Sequence, residues 1–79
     1  MKAQWRDKDW SKSKYPERRS HYLLYKELVL DGQVIGMIEQ FTTNPECFYA
    51  NTVNDRSGCV RTEDWARQFV ETKTGNKVN

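Results

Sequence analysis

The sequence predicts a small two-layer α+β domain, a three-stranded antiparallel β-meander with one C-terminal α-helix packed on one face, in the order β-β-β-α. A short late segment, Cys59-Val60, would make the sheet four-stranded. Three observations carry this prediction. An Asp31-Gly32 pair separates two apolar runs, a Thr43-Asn44-Pro45-Glu46 stretch separates the second run from a third, and Thr62 opens a segment of helical spacing that closes at Gly75. The 79 residues suffice for one domain, and a domain of that size buries only about 60% of its unfolded surface, which leaves a narrow margin of stability.

The first strand is Tyr22 to Leu30, with Leu24, Leu28 and Leu30 on one face and Leu23, Tyr25 and Val29 on the other. Apolar side chains on both faces imply that one covers the core while the other meets something else. Asp31-Gly32 tolerates the two positive φ angles of a type I′ hairpin turn. Beyond it, Val34 to Phe41 places Ile35, Met37 and Phe41 on one face and Val34, Gly36 and Ile38 on the other. Gly36 inside this strand marks a bulge or a close approach of another backbone. Asn-Pro favours a turn over residues 43–46, after which Cys47 to Val53 reads as the third strand and Asn54 to Gly58 as a polar loop.

Thr62 is a helix cap, and Glu63 and Asp64 complement the positive end of the helix dipole. Trp65 with Phe69 and Ala66 with Val70 stand four residues apart, so they form an apolar stripe expected to lie on the sheet. Lys73 and Gly75 suit the C-terminus of the helix, and residues 76–79 are expected to fray. The domain proper is thus residues 20–75, preceded by a basic aromatic arm over residues 1–19 that is expected to be partly flexible.

That arm contains seven Lys and Arg against three Asp and Glu, whereas the remaining chain has six bases against eight acids. The formal net charge of +2 therefore conceals a positive field concentrated at one end. A composition of 37% hydrophobic, 30% charged and 13% aromatic residues fits a folded, soluble unit. No apolar run approaches the 18 or so residues that cross a bilayer, and no apolar segment follows the N-terminal charges, so the expectation is a cytoplasmic protein without membrane contact. In a reducing cytoplasm Cys47 and Cys59 are expected to be free, as small apolar strand residues, and their spacing is not that of a metal site.

Catalysis finds little support. His21 is the single histidine and has no recognisable nucleophile or carboxylate constellation around it, while Glu63 and Asp64 are explained by helix capping. The expectation is a non-enzyme without catalytic residues, cofactor or metal. Binding is better supported, at three places. In the arm, Lys12, Lys14, Arg18 and Arg19 are suited to phosphates and Trp5 and Trp10 to base stacking, which makes nucleic acid the alternative partner. Tyr22, Tyr25, Phe48 and Tyr49 cannot all lie beneath one short helix, so an aromatic patch suited to a protein partner or to a homodimer is expected on the open sheet face. In the polar loop, Arg56 is an available anchor.

The stretch Gly58-Cys59-Val60-Arg61-Thr62, with Ala66 four residues beyond Thr62, resembles the strand-to-helix junction of HicB-like antitoxin domains. No functional residue follows from it. In size and architecture the chain resembles the short sheet-plus-helix proteins of bacteriophages and prophages. That resemblance implies a binding protein that docks on a larger host assembly and inhibits or adapts it.

Overall fold

The computed structural model describes residues 2–78. Four strands, β1 (Gln4–Asp7), β2 (Tyr22–Leu30), β3 (Gln33–Phe41) and β4 (Asn44–Thr52), form one antiparallel sheet in the order β1-β2-β3-β4, and helix α1 (Glu63–Thr74) packs across one face. The expected meander and helix are present. The fourth strand, however, comes from the N-terminal arm and not from Cys59-Val60.

The hairpin between β2 and β3 turns at Asp31 (φ 53°) and Gly32 (φ 79°), both left-handed as a type I′ turn requires. The next hairpin is tighter than the sequence suggests. Phe41 pairs with Asn44, so the turn is confined to Thr42 and Thr43, and Pro45 lies within β4. Proline is tolerated there because its missing donor falls at the outer end of a border strand.

Leu28, Ile38, Ala50, Ala66 and Val70 are fully buried between sheet and helix, with Leu24, Leu30, Ile35, Phe48 and Phe69 packed around them. Thr62 caps α1 by accepting from the Trp65 amide at 3.1 Å, and Gly75 ends it in the left-handed conformation. The buried stripe is centred on Ala66 and Val70, and Trp65 falls outside it, 64% exposed. A sheet this narrow accepts only the middle of the helix face, which leaves Trp65 at the rim. Gly36 lies at a bulge as expected, but what approaches it most closely is a side chain and not a backbone. It adjoins a register shift between Leu28 and Val29, and a Cβ built on it would lie 2.3 Å from Val70 Cγ1.

The N-terminal segment is part of the fold. Alternation places Ala3 and Trp5 on the helix side of β1, where Ala3 is buried and the Trp5 indole donates to Glu71 Oε2 at 2.8 Å. Glu71 also accepts the Val78 amide through Oε1 (3.2 Å), so one carboxylate ties β1, α1 and Val78 together. Met1 and Asn79, the ends of the expected arm and frayed tail, lie outside the described residues. After β1 the chain makes two short 3-10 turns, Trp10–Lys12 and Pro16–His21, before entering β2.

The polar loop after β4 is a strap. It returns along the outer side of β4, where Phe48 and Val60 exchange two backbone hydrogen bonds (2.7 and 2.9 Å). Ser57 then exchanges two with Ala50, one through its side chain, and the Asp55 carbonyl accepts from the Thr52 amide. Cys47 and Cys59 form a disulfide between β4 and this strap. The expectation of free thiols is thereby corrected: the strap brings the second cysteine back alongside the first, a proximity that spacing alone does not reveal.

Candidate functional site

The sheet face opposite α1 carries an aromatic cluster built by strand register. Across β2, β3 and β4, Tyr25, Glu39 and Tyr49 are paired neighbours, and beyond the Leu24–Gln40 pair Tyr22 stands opposite Phe41. Odd spacing should put Tyr22 and Tyr25 on opposite faces. A register shift between Tyr22 and Leu24 extrudes Leu23 (57% exposed) and brings both tyrosines to the same side.

The rings form a continuous chain of contacts. Tyr22 lies 5.0 Å from both Tyr25 and Phe41, and Phe41 lies 5.8 Å from Tyr49. Trp10, carried by the first 3-10 turn, closes the cluster at one end, 5.5 Å from Tyr22 and from Tyr25. Lys8 places its ammonium about 5 Å from the Trp10 and Tyr25 rings. All five rings are half-buried, so each keeps part of its surface open on this face.

Two carboxylates sit among these rings and are treated differently. Glu27 is buried and has Arg6 at 3.6 Å and Lys8 at 3.9 Å. Glu39, at the centre of the cluster, accepts from the Asn51 amide at 2.9 Å and has the Tyr22 hydroxyl beside it, but no base of the described residues forms an ion pair with it. Burial raises its pKa above the usual carboxylate range, opposed by Tyr22, by the more distant charge of Arg56 and by Asn51.

Tyr25, whose hydroxyl donates to Met37 Sδ at 2.9 Å, is pushed up to about 12, first by burial and then by the charge of Glu39. The folded protein therefore holds this proton to higher pH than the unfolded chain does. Its contribution to stability is intact below pH 10 and is lost as pH rises towards about 12. Ultraviolet titration at the phenolate band is expected to show a late-ionising tyrosine that disappears in Tyr25→Phe. A Tyr25→Phe titration curve that keeps its late component would refute the assignment.

The ten residues singled out by sequence divide cleanly. Trp10, Tyr22, Tyr25 and Tyr49 come together on the open face, and Arg56 stands exposed beside it, close enough for its charge to be felt at Glu39. Phe48 is not with them, since it packs against the core. Trp5 is occupied beneath the helix, with the Arg67 guanidinium 5.6 Å from its ring. Lys12, Lys14, Arg18 and Arg19 remain exposed on the 3-10 segment, where Lys12 pairs with Asp9 and Arg18 covers Tyr15 at 4.5 Å.

Sequence reading missed Phe41, Met37, Glu39 and Asn51. The available signal was their alternation in and beside β3, where every second residue shares a face with Tyr25 and Tyr49. A second cleft, between β1 and α1, is lined by Gln4, Trp5, Asp64, Arg67 and Glu71. Its principal polar groups are spent on one another, Trp5 on Glu71 and Arg67 on Glu63.

No protein-family model matches the chain, nor does any curated protein or solved structure. No helix of the described residues is long and apolar enough to cross a membrane.

Proposed function

We propose that the chain is a non-enzymatic binding protein that docks on a protein partner through the open face of its sheet. One observation carries this reading: five aromatic rings, Trp10, Tyr22, Tyr25, Phe41 and Tyr49, lie in continuous contact on the face the helix does not cover. Clustered, part-exposed aromatics around a central polar group are the composition of a binding hot spot. The nucleic-acid alternative loses support because Trp5 is held by Glu71 and Trp10 is packed on two tyrosines, so neither ring is free to stack on bases. The Cys47–Cys59 disulfide favours an oxidising setting for this docking over the reducing cytoplasm.

The test compares wild type, Tyr49→Ala and a Lys12→Glu/Arg18→Glu variant in partner capture with and without nuclease, followed by affinity measurement on the purified partner. Tyr49→Ala is expected to weaken binding by about 30-fold, the scale of a hot-spot residue, while the charge-reversed variant binds nearly as wild type. Recovery that is abolished by nuclease and by charge reversal, and unaffected by Tyr49→Ala, would overturn the proposal in favour of nucleic acid.

A further inference from the structure

Resting on that docking reading, we infer that the open face selects a partner segment presenting an arginine side chain, which ion-pairs with Glu39 between the Tyr22, Phe41 and Tyr49 rings. Two carboxylates on one surface are in contrasting surroundings. Glu27 is neutralised within the chain by Arg6 and Lys8, whereas among the described residues Glu39 forms no ion pair, accepting from the neutral Asn51 amide with the Tyr22 hydroxyl beside it. A half-buried carboxylate with neutral hydrogen-bond partners is electrostatically unfinished, because no opposite charge is paired with it to offset its desolvation.

The surroundings specify which cation completes it. Tyr25 and Tyr49 flank Glu39 across the strands, and Tyr22 and Phe41 lie just beyond, so the carboxylate is surrounded by aromatic residues on the open face. A planar guanidinium stacks on such faces and offers paired donors to a carboxylate, which a compact ammonium does not. The groove past Glu39 and Tyr49 continues to Asn51 and Arg56, which gives the flanking peptide a polar track. Arg56 is a cation whose charge is felt at Glu39, yet it forms no ion pair with that carboxylate and remains exposed.

The experiment uses the full chain and two capped tripeptides, Gly-Arg-Gly and its citrulline counterpart, titrated while amide and tyrosine-ring resonances are followed by NMR. The arginine peptide is expected to shift Glu39, Tyr22 and Tyr49 and to bind at least tenfold more tightly than citrulline, which has the same shape without the charge. In Glu39→Gln this preference is expected to vanish while the fold, read from the dispersion of the amide spectrum, is retained. Arg56→Gln, lacking the competing cation, is expected to bind the arginine peptide more tightly.

Equal response to both peptides, no response, or a preference that survives Glu39→Gln would overturn the inference. Such a failure, with Tyr49→Ala still weakening the purified partner, would leave the docking surface standing and remove only its arginine selectivity. If Tyr49→Ala leaves the partner's affinity unchanged, the docking reading itself fails.

Discussion

Replacing Cys47 and Cys59 together by serine is expected to lower the stability of the fold by about 3 kcal/mol, the size expected for cross-linking a loop of this length. The two residues are 12 apart in sequence, so the bond closes a short loop, and most of its effect lies in restricting the unfolded chain. On a domain whose whole stability is on the order of 5 to 10 kcal/mol this is a large share. Urea denaturation is the measurement, with the variant and the reduced wild type expected to shift together to a lower midpoint. Hydrogen exchange adds a spatial prediction, since the Phe48, Val60 and Ser57 amides join strap to β4 and should lose protection before the β2–β3 hairpin does. Equal midpoints for oxidised and reduced protein would show that the strap is held without the bond.

Gly36→Ala is expected to cost about 1 to 3 kcal/mol, as overfilling of a packed core does. The added methyl would meet Val70 Cγ1 at 2.3 Å and the Asn51 carbonyl at 3.2 Å, and Val70 is fully buried, so no open space receives it. The helix must lift from the sheet or Val70 must move into its neighbours. Val70→Ala on its own removes core volume and is also destabilising. In the double variant the two errors compensate, because the alanine at 36 occupies part of the space the valine gave up. A double-mutant cycle by thermal or urea denaturation is therefore expected to give a favourable coupling of about 0.5 to 3 kcal/mol. Strict additivity would mean that helix and sheet do not meet at this point.

How much of this was readable in the residues depended on whether a segment declares itself locally. Asp31-Gly32, the alternation of Met37, Phe41 and Ile38, and the Thr62 to Gly75 helix signals did so, and each corresponds to an element of the structure. β1 did not, because a four-residue border strand with one large apolar side chain offers almost no periodicity, and Ala3 with Trp5 is all the alternation it contains. The register shifts at Leu23 and Ile35 were hidden for a different reason. A strand's phase is set by its partners, and an extra residue reverses which face the following side chains occupy. That reversal is what unites Tyr22 with Tyr25, so the open-face cluster was anticipated in composition but not in arrangement. Of the strap, only the strand-like Cys59-Val60 end is legible, and Val60 does pair beside β4; the rest closes backbone groups, and Asn54 to Gly58 carry no side-chain pattern that says so.

The strap also limits how the molecule can associate with itself. A sheet with two bare margins can add strands at both and so propagate into a fibre. Here the chain has covered the Phe48–Thr52 part of one margin with its own residues 55–60, while the opposite margin is β1, four residues long and bearing Arg6 and Asp7. Strand addition along Phe48 to Thr52 is therefore blocked by the chain itself, and the covalent bond that holds the strap also guards that margin against edge-to-edge aggregation.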